Sequence, residues 1–435
     1  MNQRTGRKNP STQSHLQLWL FPSTILGGSL KRQCEQDITS RRFVMGFEVS
    51  LVQRAKGSGR SAPERVLVTG GAGFIGSHLV DALVERGNEV RILDSLDPQV
   101  HGKEAKPPGF LPSQADVKSG SLLDPGMLNT ALDGVDVVFH QAAVVGVGQS
   151  MYEIARYCEQ NTLGAARLLE AVVARRDQIR KVVVASSMSI YGEGAYVDDT
   201  GERRTGRRTP EALGMHDWSV YERGTTQPLQ DVATDEEKCL EPSSVYAINK
   251  RDHEELFLTV GRAYNIPTVA LRYFNAYGSR QALSNPYTGV GAIFASRVLA
   301  GHRPCVFEDG HQKRDFVHVS DVVQANVLAM DTDRADYEAL NIGSGESVSV
   351  LEVAGAVALS LGREDLVPDV TGNYRQGDIR NCYADISKAR RLLGYEPTVQ
   401  FAEGVTELVE WAAHQDASDT FDEHRRDLAA RGLSV

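Results

Sequence analysis

VLVTGGAGFIG, residues Val66 to Gly76, passes from a short β-branched strand straight into a glycine turn and then a helix. Val66, Leu67 and Val68 make the strand and Thr69 leads out of it. Gly70, Gly73 and Gly76 then stand where a tight turn, a close approach of backbone to a pyrophosphate and tight helix-to-strand packing each need a missing side chain. From Phe74 to Arg86 the residues Phe74, Ile75, Leu79, Ala82 and Leu83 recur at helical spacing, so the first amides of this helix face the turn, where an anion is welcome. A second strand, Glu89 to Leu93, ends on Asp94, eighteen residues after Gly76. A carboxylate there suits both hydroxyls of an adenosine ribose and repels a 2′-phosphate, which favours NAD over NADP. Gly70, Gly73, Phe74, Ile75, Gly76 and Asp94 are therefore the first cofactor-binding candidates.

At 435 residues the chain has room for a large α/β unit with a second, smaller one, and 41% hydrophobic content is that of a globular protein. The net charge of −10 is unevenly spread: residues 1–62 carry +7 and the remainder −17. An acidic body without a basic stripe argues against nucleic acid as a partner. Cys34, Cys158, Cys239, Cys305 and Cys382 form no close pair. That excludes a disulfide framework or a zinc knuckle and fits a reducing, cytoplasmic setting without a structural metal. No apolar run approaches membrane-spanning length, so no membrane partner is expected. Residues 1–62, rich in Ser, Arg, Gln and Gly, read as a disordered basic extension.

Beyond Asp94, Ala115 to Ser119 reads as a strand, with Ser121 and Leu122 placed where an adenine would lie and Asp124 starting a helix. Val137 to His140 reads as a buried strand followed by QAAVVG, whose small Ala142 and Ala143 let a cofactor approach backbone. His140 itself reads as a packed strand-end histidine. A long helix from Tyr152 to Arg175 carries Asn161, and Lys181 to Ser186 forms the next strand. Strands alternating with helices in this way give a doubly wound parallel α/β sheet of Rossmann type, whose ligands sit at the carboxyl ends of the strands. There the chain supplies Ser186, Ser187 and Ser189, and farther on SSVYAINK puts Tyr246 and Lys250 four apart on one helix face. A phenol beside an ammonium and a cationic nicotinamide has its charged form favoured, so Tyr246 is expected to serve as a base near neutral pH, with Ser187 bonding the same substrate oxygen.

TGGAGFIG, HQAA, SSMSIYG, YAINK and LRYFNAYG, in this order, resemble the extended short-chain dehydrogenase/reductase family, in particular its nucleotide-sugar epimerases and dehydratases. The resemblance spans residues 64 to about 415. It implies that Tyr246 is the base, that Lys250 holds the nicotinamide ribose and lowers the tyrosine pKa, and that Ser187 completes the catalytic set. It also places Asn161 near the active site and the cofactor. Arg314 in KRDFVHVSD, with Arg375 and Asp378 in YRQGDIR, matches family positions that grip the nucleotide diphosphate and ribose. A guanidinium suits a diphosphate and a carboxylate suits ribose hydroxyls. Ser187, Ser189 and Asn275 complete the expected substrate set, and homodimerisation through the helices bearing Asn161 and Tyr246 is implied.

The domain plan that follows is a cofactor domain over 63–274, a mainly substrate-binding α/β domain over 275–415 and a C-terminal tail over 416–435. Within the first, the polar stretch 193–242 is an insertion with Trp218, Tyr221 and Pro228 as its few anchors. Some relatives carry two cysteine pairs in this insertion. Here Glu222 and Thr225 stand where one pair is expected, so no zinc is expected, and the insertion reads as a loose lid over the substrate or as a surface loop without that role. Dehydratases of the family place Asp and Glu after the catalytic hydroxyl, whereas this chain has Met188 and Ser189. The expectation is therefore an NAD-dependent isomerase acting at carbon 4 of a nucleotide-linked hexose, with a dehydratase, a reductase or a non-catalytic NAD-binding scaffold as alternatives. The run 282–298 with VFEDGHQKRDFVHVSD looks closest to epimerases of dTDP-L-rhamnose. Val145 and Cys382 bear on the sugar, and UDP-glucose or UDP-galactose is the second choice.

Overall fold

The computed structural model describes residues 63–283, 289–375, 377–415 and 419–433. The basic extension 1–62, and parts of the 282–298 run, lie outside the described residues.

The first strand, β1 (Arg65–Thr69), is wholly buried from Val66 on, and it runs into α1 (Phe74–Glu85) through the glycine turn. β2 (Glu89–Asp94), β3 (Asp116–Ser119), β4 (Val137–His140), β5 (Lys181–Ser187), α2 (Val245–Tyr264), β6 (Thr268–Tyr273) and β7 (Ala339–Ile342) complete the framework. The sheet has the order β7-β6-β5-β4-β1-β2-β3, and every pairing in it is parallel. Its order reverses between β1 and β4, and at such a switch point the strand ends splay to leave a crevice for a ligand. The central strands β1, β4, β5 and β6 are buried along almost their whole length because helices cover both faces. Val66, Val68, Leu79, Ile92 and Phe139 pack on one side, and Leu67, Val138, Leu168 and Phe257 on the other.

The expected long helix 152–175 is present from Ile154 to Val173 but is not α-helical along its whole length. Helical turns at Ile154–Tyr157 and Gly164–Val173 flank a π-turn at Cys158–Leu163, and such single turns occur frequently at functional positions.

A smaller core forms from Val290–Leu299, Val350–Ser360 and Phe401–Ala413, where Ala292, Phe294, Val353, Val357, Val405 and Leu408 meet. The chain does not divide cleanly at residue 275. The helix Val319–Asp331 and β7 return to the large sheet, with Val322 and Ile342 in the core of the cofactor half. The tail also carries structure: Phe421–Ala430 is a helix whose Leu428 packs against Gly148 and whose Phe421 ring lies 6.4 Å from Phe307.

The insertion is not a loose loop. Ala195–Val197 pairs with both Arg203–Arg204 and Gln230–Val232, and Gly206–Arg207 pairs with Tyr221–Glu222. Buried Tyr196 and Val220 anchor these strands, so the segment is fixed by its own small sheets.

Candidate active site

The glycine turn is shaped by what it cannot accommodate. Gly70 has φ +70°, and a Cβ there would lie 2.7 Å from the Ala142 backbone. A Cβ on Gly76 would lie 2.1 Å from the Gly70 carbonyl oxygen. Gly73, the N-cap of α1, makes no side-chain cap bond, so the first amides of the helix are left for another acceptor. Asp94 braces the same turn. Its carboxylate accepts the Ala72 amide at 3.0 Å and the Leu96 amide at 2.9 Å, and it still has acceptor capacity for ribose hydroxyls.

Above the strand ends lies a cleft of about 470 Å³. Gly70, Gly73, Phe74, Ile75, Gly76, Asp94, Ser121, Leu122, Ala142 and Ala143 line it, as do Ser187, Ser189, Tyr246, Lys250 and Asn275. Fifteen of the expected site residues therefore share one cavity, and the glycine cradle, open helix terminus and terminal acid fit a dinucleotide. Four expected residues lie off its wall. Asn161 is fully buried: its side-chain oxygen accepts the Val144 amide at 2.8 Å and its nitrogen donates to the Val144 carbonyl at 3.1 Å. It holds the segment that forms the cavity wall rather than forming that wall, and the π-turn is what carries it there. Arg314 and Asp378 form a separate pair, in which Arg314 donates to the carbonyls of Ile379 and Arg380 and lies 3.7 Å from Asp378. Arg375 stacks over Phe307 at 4.8 Å, and its buried Nε has no protein partner.

Around the reacting position, α2 begins at Ser244, whose hydroxyl accepts the Ala247 amide, and its first turns aim Tyr246 and Lys250 at the end of β5. Lys250 donates to the Ala185 carbonyl at 2.9 Å. Ser187 accepts from both the amide of Ser189, at 3.2 Å, and its hydroxyl, at 2.9 Å. With its lone pairs engaged, the Ser187 hydroxyl proton is free to donate. Loss of water opposes both charges on which the sequence expectation rests. Burial pushes the Tyr246 phenol up to about 12, with Ser187 working in the opposite direction, and burial pushes the Lys250 ammonium down to about 7. Each charged form is disfavoured by loss of water, so spacing alone does not activate the tyrosine.

Several cleft residues escaped the sequence reading. Gln141 donates to Tyr273 and to Asn326, both at 3.0 Å. Arg280 pairs with Asp81 at 2.7 Å and lies over Phe110. Arg156 is held by Asp97 and Glu153, each at 2.7 Å, so the guanidinium beside Asp94's end of the cleft is already neutralised. That again favours an unphosphorylated ribose. Arg280 stands two residues after the LRYFNAYG motif, so its neighbourhood is marked in the sequence. Arg156 meets Asp97 only through the fold.

Among the described residues no cluster of metal ligands occurs, and no helix is long and apolar enough to cross a membrane.

Residues 66–212 match the NAD dependent epimerase/dehydratase family, and residues 224–408 match GDP-mannose 4,6 dehydratase. A dTDP-L-rhamnose 4-epimerase of Burkholderia thailandensis is 31% identical over 355 residues, covering 81% of this chain and 96% of that protein. The structure of a UDP-glucose 4-epimerase from Thermotoga maritima with UDP-glucose superposes with a TM-score of 0.65 at 32% identity, covering 80% of this chain and 98% of that one. A Thermus thermophilus UDP-glucose 4-epimerase in complex with NAD gives a TM-score of 0.63 at 32% identity, with 80% and 99% covered.

Proposed function

The chain belongs to the NAD-dependent epimerase/dehydratase family, and from that membership we propose that it inverts carbon 4 of a nucleotide-linked hexose, with dTDP-L-rhamnose as the first substrate. The observation that carries this reading is the meeting of Ser187, Tyr246 and Lys250 with the glycine cradle in one cleft.

In the proposed mechanism Tyr246 takes the proton of the 4-hydroxyl, and Ser187 donates to the same oxygen. NAD, when bound, supplies the hydride acceptor and later the hydride donor. Lys250 then has two duties: its charge stabilises the phenolate, and its ammonium is suited to ribose hydroxyls. The high pKa that burial gives Tyr246 means that positive charge near it is required for base catalysis, and that charge is assigned to Lys250 together with the nicotinamide that bound NAD would bring. Gly70, Gly73, Gly76 and Asp94 would hold the cofactor, with Ser121, Leu122, Ala142 and Ala143 against its adenosine half. The nucleotide diphosphate and ribose are assigned to Arg314, Arg375 and Asp378. The unpartnered Arg375 Nε supports that assignment.

Val145 supports the choice of sugar. It lines the cleft as a half-exposed apolar side chain, and a sugar without a 6-hydroxyl leaves no polar group unmatched against it. UDP-glucose or UDP-galactose is the second reading, favoured by small Cys382 in the strand beside Arg314. Met188 and Ser189, where the family's dehydratases place acids, weigh against dehydration. Homodimerisation is proposed through the exposed Ile154, Leu163 and Ile248 on the helices around Asn161 and Tyr246, with exposed Met151 in the turn before them. A cytoplasmic setting is proposed from four unpaired cysteines among the described residues. Parallel assays with dTDP-L-rhamnose and UDP-galactose at equal enzyme and substrate concentration test the order. Clearly higher kcat/KM for UDP-galactose reverses it.

A further inference from the structure

We propose that Arg208, carried by the insertion, is a positioning residue for the nucleotide end of the substrate site. This rests on the reading of Arg314, Arg375 and Asp378 as that end.

Arg208 follows the strand Gly206–Arg207 and precedes Thr209, whose hydroxyl caps the turn Pro210–Gly214, so its backbone is fixed on both sides. Its side chain is only 4% exposed. One nitrogen donates to Glu308 at 2.6 Å, Nε lies 3.3 Å from Glu193, and the third donates to the carbonyl of Asp378. These partners come from different parts of the chain. Glu193 lies just beyond the catalytic segment Ser187–Tyr191 and accepts the amides of Arg380 at 2.8 Å and Asn381 at 3.3 Å. Glu308, itself 1% exposed, also receives Arg380 at 3.0 Å. One buried cation thus ties the run-out of the serine strand to residues 378–381.

That stretch is the mount of the nucleotide grip. Arg314 donates to the carbonyls of Ile379 and Arg380, and Asp378 faces Arg314. A guanidinium aimed by backbone carbonyls moves when those carbonyls move. A second contact runs parallel to the first: the Trp218 ring meets Tyr374 edge-on at 6.1 Å, one residue before Arg375. The insertion therefore holds both arginines of the grip from outside, and Arg208 is the only charged link in that hold that is almost fully buried among the described insertion residues.

A purely structural ion network would lower stability when broken, because a stranded buried carboxylate is costly, but would leave ligand affinity alone. The test separates the two roles. Arg208→Met, Arg208→Lys and the double variant Arg208→Met with Glu308→Gln, which removes the stranded charge, are purified with their NAD. Each is titrated with dTDP and with UDP by calorimetry, and melting temperature and NAD content are recorded. The expected result is an about tenfold or greater rise in Kd for the nucleoside diphosphates in both methionine variants, with NAD content retained and partial recovery in the lysine variant. In turnover the loss falls on KM, with kcat kept to within about threefold. An unchanged Kd in a double variant that melts like the parent overturns the proposal. If both methionine variants fail to fold, the lysine variant decides in the same way, since an ammonium cannot reach three partners at once. Arg314→Ala is run alongside. If it binds dTDP and UDP like the parent, the reading of the nucleotide end has failed; if it loses them while the double variant does not, only the role of Arg208 has failed.

Discussion

Replacing Gly76 by alanine puts a Cβ 2.1 Å from the Gly70 carbonyl oxygen, 2.8 Å from Gly71 Cα and 2.9 Å from Gly70 carbonyl carbon. Ordinary contact begins near 3.4 Å, so the turn must open by about 1.3 Å, and every atom in the way is backbone that cannot rotate aside. Overpacking of this kind costs about 1–3 kcal/mol. The same displacement moves the amides at the start of α1 away from the pyrophosphate, and a shift of about 1 Å in a positioned site is worth about 10²-fold. Gly73 is the internal control: its added Cβ meets only the Gly70 oxygen at 3.3 Å, and its φ of −76° is open to any residue. The expected outcome is that Gly76→Ala raises the Kd for NAD by about 10²-fold, equivalent to about 2.7 kcal/mol, whereas Gly73→Ala raises it less than about tenfold. Both are measured by calorimetric titration of NAD-stripped protein. Equal NAD affinity in Gly76→Ala and the parent would falsify the assignment of this turn as the cofactor cradle.

Tyr246→Phe removes the proton acceptor and little packing; turnover is expected to fall by about 10²–10⁴ with NAD content unchanged, and a variant that keeps near-normal kcat sinks the assignment of the base. Asn161→Ala strands the amide and carbonyl of Val144, so a loss of about 2 kcal/mol or more in denaturant unfolding is expected together with weaker NAD binding, and an unchanged midpoint would contradict that. His140 is fully buried against Thr69, and burial together with nearby Lys250 pushes its pKa down to about 3. Its folded pKa lies below the unfolded 6.5, so its contribution is fully present above pH 6.5 and is lost as pH falls toward 3, at about 1.4 kcal/mol per unit. Between pH 6.5 and 5 that amounts to about 2 kcal/mol, and His140→Gln should show a stability profile shallower by this amount. Parallel profiles would exclude the histidine as the cause.

What could be read from the sequence was local. β1, its glycine turn, α1 and Asp94 lie within thirty residues, and each step is dictated by missing side chains, helical spacing or a strand-end acid. The Tyr246 and Lys250 pair was equally plain, because four residues on a helix share a face. The misreadings arose where distant segments meet. β7 returns to the large sheet from beyond residue 338, the π-turn turns Asn161 toward Val144, and the insertion is fixed by pairings such as Ala195–Val197 with Gln230–Val232. Arg156 with Asp97, Arg280 with Asp81 and Arg208 with Glu308 are separated by dozens to hundreds of residues, and no local pattern announces them. The burial of Tyr246 was hidden for a related reason. Spacing reveals a neighbouring charge but not the loss of water that opposes it.

The central claim is inversion at carbon 4 with the cofactor recycled inside one cleft. It is tested most directly by supplying dTDP-L-rhamnose deuterated at carbon 4 and following the products by proton and deuterium NMR, with absorbance at 340 nm recorded in parallel. The account predicts the 4-epimer with deuterium retained at carbon 4, and no net reduced cofactor. Loss of the label to water, or reduced cofactor accumulating in step with substrate consumed, would contradict it.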